Sequence, residues 1–114
     1  MSLKIDHRKS GSVIVVDLSS KIVVGDGAER LLETAKELVR QGERNLLFNM
    51  TDVSYVDSAG LGVFVKCYNA ASESDGHIKL VNVSGRIRDL LRITKLHTLF
   101  EVFDDEAAAV KSCS

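Results

Sequence analysis

The chain has 114 residues, 45% of them hydrophobic and 27% charged, the composition of one ordinary globular domain that needs no metal or disulfide staple. No second domain is expected, and residues 1–114 should form a single unit. Lys plus Arg is 15 against 16 for Asp plus Glu, a net charge of −1, and no apolar run approaches the roughly 20 residues that span a bilayer, so neither nucleic acid nor a membrane is an expected partner.

Met1 to Arg8 carries scattered charge and no apolar stretch of the secretory type, which predicts a cytoplasmic protein. Leu3, Ile5 and His7 alternate with polar residues, and after a short linker comes the β-branched run Val13 to Leu18. Strands joined so closely must pair as an antiparallel hairpin, with no room for a crossover helix. From Asp26 the period becomes helical: Ala28, Leu31, Leu32, Ala35, Leu38 and Val39 share one face. Asp26 and Glu29 have capping-box spacing and Gly42 is placed to stop the helix, which gives limits near 26–41. Asn45 to Met50 reads as a central strand covered on both faces, followed by a turn at Thr51-Asp52.

Val53 to Val56 then leads through Asp57-Ser58-Ala59-Gly60-Leu61-Gly62 into a helix that is apolar almost all round, capped by Asp57 or Ser58 and ended by Gly76. Ile78 to Val83 reads as a strand. Ser84 caps a third helix, with Ile87, Leu90, Leu91 and Thr94 on its inner face and Arg86, Arg88, Arg92 and Lys95 opposite. Phe100 to Phe103 is a last short strand, and Asp104-Asp105-Glu106 opens a small terminal helix through Val110. The order β-β-α-β-α-β-α-β-α predicts an α/β fold: a mixed sheet that opens with an antiparallel hairpin and is packed by about four helices.

Cys67 and Cys113 match no metal or disulfide spacing and read as free thiols, Cys67 packing in a helix and Cys113 in a frayed tail. His7, His77 and His97 form no helical ligand pair, so no metal and no cofactor is expected. Ser58 is the residue best placed for chemistry, because it stands where a strand turns into a buried helix. The nucleophile elbow G-x-S-x-G fails here, since Val56-Asp57-Ser58-Ala59-Gly60 lacks the first glycine. Gly25-Asp26-Gly27 and Gly60-Leu61-Gly62 have neither dinucleotide nor P-loop spacing. No enzyme activity is expected. A receiver-like phosphoacceptor domain, with Asp52 or Asp57 as acceptor, is an outside alternative that would require a helix after the first strand and an acidic pair for magnesium.

The run Phe48-Asn49-Met50-Thr51-Asp52-Val53-Ser54-Tyr55-Val56-Asp57-Ser58-Ala59-Gly60-Leu61-Gly62 resembles the central signature of the STAS domain, shared by sulfate-transporter tails and bacterial anti-sigma factor antagonists. The resemblance continues through Gly76 to Val83, Ile87 to Leu91, Thr94 to Leu96 and Leu99 to Phe103. With no transporter attached, it implies a free-standing antagonist that binds an anti-sigma factor and so frees a sigma factor. It further implies that the anti-sigma factor is a serine kinase that phosphorylates Ser58, that a serine phosphatase reverses this, and that Asp57, Ser58, Ala59, Gly60, Leu61 and Asp26 meet the partner. Gly60 would keep a side chain out of the partner's path. The alternative is a non-catalytic scaffold of the same fold in a larger signalling assembly, with Asp57 and Ser58 as helix caps alone. Two departures from the family pattern stand out: Ser20-Lys21-Ile22-Val23 where Gly-Glu-Leu-Asp is common, and Asn49 where aspartate is common.

Overall fold

The computed structural model describes residues 3–113. Strands β1 (Lys4–Ser10) and β2 (Val13–Ile22) pair antiparallel from Lys4 opposite Ser19 to Ser10 opposite Val13, the hairpin expected from the linker length. Helix α1 (Asp26–Arg40) crosses to β3 (Asn45–Val56), helix α2 (Ser58–Ser72) to β4 (His77–Val81), and helix α3 (Gly85–Ile93) with a 3-10 turn (Leu96–Thr98) to β5 (Val102–Phe103). Helix α4 (Glu106–Ser112) follows. The sheet order is β1-β2-β3-β4-β5, parallel at every pair after the first. A receiver-like arrangement, with a helix between its first two strands, is therefore not this fold.

Alternation along the strands divides the apolar residues between two faces. Ile14, Val16 and Leu18 of β2 join Leu46, Phe48 and Met50 of β3 in the main core under α1, α2 and α3. Val13, Val15, Leu47 and Val81 point the other way and pack with Ala109 of α4. Helix α1 buries Ala28, Leu31, Ala35 and Leu38 at helical spacing. Helix α2 is fixed to the sheet by an aromatic chain in which Phe64 lies 5.8 Å from Phe48 and 6.2 Å from Phe100, with Tyr68 5.7 Å from Phe100, centroid to centroid. Each of the three buried phenylalanine rings contributes about 2–3 kcal/mol of burial before the ring–ring contacts are counted. The middle of α2 is thus anchored to the core.

Several local expectations change. Strand β3 does not turn at Thr51-Asp52 but runs on to Val56, because β2 follows it, with register shifts between Asp17 and Ser19 and between Ser20 and Lys21. Asp26 is the first helical residue rather than the cap; Gly25 takes that position at φ 120°, and the Asp26 carboxylate accepts from Arg30 Nε at 2.8 Å. Helix α2 ends at Ser72, and Gly76 instead turns the chain into β4, its N–H donating to the Ala71 carbonyl at 2.7 Å. Thr94 is exposed rather than inward; its hydroxyl donates back to the Leu90 carbonyl at 2.8 Å. Cys113 is not in a frayed tail: it caps α4 and packs half-buried beside the second cluster. Cys67 is buried, and burial pushes its thiol up to about 12, so it is a packing residue and not a nucleophile.

A polar network crosses the α4 side of the sheet. Arg8 on β1 donates to Asp17 at 2.8 Å and to Glu106 at 2.7 Å, and holds both carboxyls below the usual carboxylate range. Asp17 also accepts from Asn49 Nδ2 at 2.8 Å, and the Asn49 carbonyl accepts from Thr51 Oγ1 at 2.6 Å. Asn82 Nδ2 donates to Thr51 Oγ1 at 3.0 Å.

Candidate docking surface around Ser58

Strand β3 delivers the chain to the end of the sheet at Val56, and Asp57 keeps extended backbone angles before α2 begins. Its N–H donates to the Ile22 carbonyl at 3.2 Å. Its carboxylate caps the helix through Oδ1, accepting from Gly60 N–H at 2.8 Å, while Oδ2 accepts from Val24 N–H at 3.1 Å. These backbone donors hold the Asp57 carboxyl below its ordinary value. It is ionised at neutral pH with both oxygens engaged, which leaves it poorly placed to act as a base for its neighbour.

Ser58 is the first residue of α2 and is exposed, and its hydroxyl has no hydrogen-bond partner among the described residues. The expected contact residues divide. Asp57 and Ser58 reach the surface, Ala59 is half-buried, and Asp26 opens α1 just beyond the turn that Asp57 ties down, fully in solvent apart from Arg30. Gly60 is buried, and a Cβ there would overlap the Ile22 carbonyl oxygen and crowd Val56 Cγ1 at 2.9 Å. The glycine is needed for the close approach of α2 to the end of β2, not to admit a partner backbone. Leu61 is also buried, though it forms part of a groove wall.

The residues that sequence reasoning missed lie around Ser58. Among the described residues, the large apolar side chains left exposed are Val24 at 75%, Tyr55 at 44% and Ile93 at 78%. Tyr55 and Ile93 line one groove with Ser58, and Val24 is bonded to Asp57, so all three gather at this end of the sheet. The groove, about 580 Å³, runs between α2 and α3 over Leu61, Ile87 and Leu90, with Arg86 at its side. Gly62 is exposed one turn after Ser58 on the same face of α2, with nothing within 4 Å of its missing Cβ. Ile93 carried a readable signal, since an isoleucine off the 87-90-91 stripe of α3 has no core to join. Val24 carried one too, as the last apolar residue before a glycine turn.

The groove holds no histidine, and among the described residues no group of three or more His, Cys, Asp or Glu could hold a metal ion. Nor is any described helix long and apolar enough to cross a membrane. Exposed apolar side chains around a polar centre form instead the kind of surface that proteins use to bind one another.

The profile of the STAS domain matches residues 4–109. The anti-sigma-B factor antagonist of Bacillus subtilis is 34% identical over 102 residues, covering 90% of this chain and 92% of that protein. An anti-sigma factor antagonist from Mycobacterium paratuberculosis has a similar structure, with a TM-score of 0.83 and 20% identity over 97% of this chain and 93% of that one. The Bacillus cell fate determinant SpoIIAA in its phosphorylated form gives a TM-score of 0.76 with 17% identity, covering 97% of this chain and all (100%) of that one. Sequence signature, strand order and overall match agree, and this chain belongs to the STAS domain family.

Proposed function

We propose that this chain is an anti-sigma factor antagonist whose active form docks on an anti-sigma factor through the surface around Ser58 and thereby releases a sigma factor. The observation that carries this reading is an exposed, unbonded hydroxyl at the start of α2, at the end of the sheet where Val24, Tyr55 and Ile93 are exposed. The name of the B. subtilis relative supports the same role. The partner is a serine kinase that transfers the terminal phosphoryl group of ATP to Ser58. The Oγ–P bond forms as the terminal P–O bond of ATP breaks, ADP leaves, and the hydroxyl proton passes to a base of the kinase. A serine phosphatase restores the hydroxyl. The working compartment is the cytoplasm, and the chain itself performs no catalysis.

The fold tolerates a phosphate at this position, because a helix start favours negative charge. The docked complex does not. A charge of about −1.5 to −2 must be desolvated beside the ionised Asp57, and a loss of about 3 kcal/mol weakens binding more than a hundredfold.

The test is titration of wild type, Ser58→Ala and Ser58→Asp against the anti-sigma kinase, with and without ATP. The wild type should lose affinity only with ATP, Ser58→Ala should bind in both conditions, and Ser58→Asp should bind weakly in both. Equal affinities for all three, with no ATP-dependent phosphate on Ser58, would overturn the switch and favour the scaffold alternative.

A further inference from the structure

We propose that the phosphoryl group on Ser58, once present, is gripped by Arg86 across the groove, so that phosphorylation closes the apolar floor as well as adding charge. The inference rests on Ser58 as the phosphoacceptor and adds an intramolecular acceptor for the phosphate. Helix α3 carries the arginines Arg86, Arg88 and Arg92. Arg88 donates to Asp104 at 2.8 Å, and Arg92 lies 3.8 Å from Asp89. Arg86 alone has no hydrogen bond or ion pair among the described residues, and it is the one that lines the groove with Ser58. A solvent-exposed guanidinium that lines the same groove as a modifiable hydroxyl is available for a two-pronged contact with phosphate oxygens.

The other charges of the groove direct the phosphate the same way. Asp57, adjacent in sequence and ionised by its backbone donors, repels it from the β2 side. Asp89, the remaining acid of the lining, lies on the same helix as Arg86 and faces Arg92. Arg86 is the only cation in the lining. A phosphate held there spans the mouth above Leu61, Ile87 and Leu90, the apolar surface on which a partner side chain would seat.

The test uses full-length protein with phosphoserine installed genetically at position 58, which makes the measurement independent of any kinase. The second ionisation of the phosphate, near pH 6 for free phosphoserine, is followed by phosphorus NMR. Arg86→Gln should raise that midpoint by about half a pH unit relative to the wild type. Arg86→Lys, which keeps the charge but loses the fork, should lie between them. Methyl resonances of Leu90 and Ile93 should shift on phosphorylation in the wild type and stay in place in Arg86→Gln. Without phosphate the two proteins should melt together, since Arg86 has no acceptor to lose. Equal midpoints and unchanged methyl shifts in all variants would overturn the grip. If the grip appears in the encoded phosphoprotein but the kinase with ATP never modifies Ser58, the phosphoacceptor reading falls while the Arg86 contact stands.

Discussion

The carboxylate of Asp57 accepts the backbone N–H of Val24 at 3.1 Å, and this contact joins the turn after β2 to the start of α2. One oxygen caps the helix while the other fixes the loop that presents an exposed apolar side chain. Asp57→Ala should therefore lower the melting temperature and loosen the Val23–Gly25 turn, whereas Asp57→Asn, which keeps an accepting oxygen, should do less of both. The folded-state ionisation lies below the ordinary value, so its stabilisation is present at neutral pH and is lost as pH falls below about 4 through the folded-state value. Thermal melts from pH 7 to pH 3 should show a steeper acid loss for the wild type than for Asp57→Asn.

Gly60 and Gly62 should respond in opposite ways. Gly60→Ala forces a methyl group against the Ile22 carbonyl and should cost about 2–3 kcal/mol in a denaturant titration. Gly62→Ala enters open space and should stabilise α2 by up to about 1 kcal/mol. Gly62→Leu should leave the domain folded yet weaken partner binding, because its side chain stands one turn from Ser58. Full affinity for Gly62→Leu would remove this part of α2 from the contact surface.

Asn49 is one of the departures from the family pattern, and its surroundings explain it. Its amide donates to Asp17, so Asn49→Asp would set two carboxylates side by side at 2.8 Å. The variant should lose about 1 kcal/mol at pH 7, a modest figure because the network is partly exposed. The new pair would titrate with one raised ionisation, so the deficit should shrink as pH falls toward 5 and one carboxyl takes up a proton. A deficit that does not change with pH would point to lost packing in place of repulsion.

Ser20 is the other departure, and here the backbone bears the cost. It sits at the β2 register shift with φ 85°, a region that favours glycine. Ser20→Gly should raise stability by about 1 kcal/mol, provided the left-handed strain outweighs the added freedom of the unfolded chain. Chemical denaturation of the two proteins measures the balance, and a loss of stability would show that the Ser20 side chain offsets its own strain.

The hairpin, the four helices and the apolar signature at α2 were legible in the sequence because each is a local pattern. Spacing of apolar residues, a short linker and a capping acid report directly on neighbours within one turn or one strand. The continuation of β3 past Thr51 was not legible, because it depends on β2 staying beside it through two register shifts. The surface around Ser58 was half legible. Asp57 and Ser58 announced themselves, but Val24, Tyr55 and Ile93 come from three separate connections and meet only once the sheet is assembled. Gly60 illustrates the same gap: the sequence marked a place where no side chain fits, and only the Ile22 carbonyl reveals that the constraint is internal.

The hairpin also sets where the two ends of the chain leave the fold. Leu3 packs against Gly27, and its carbonyl accepts from Arg30 Nη2 at 2.6 Å, which places it beside the first turn of α1 at the same end of the sheet as Ser58. Val110 of α4 lies instead against Gly11, at the far end. Any tag, surface linker or fused domain attached ahead of Leu3 therefore emerges beside the first turn of α1, at the end of the sheet that carries Ser58, while one attached after Ser112 emerges at the opposite end. Binding assays on immobilised protein should be anchored through the C-terminal side.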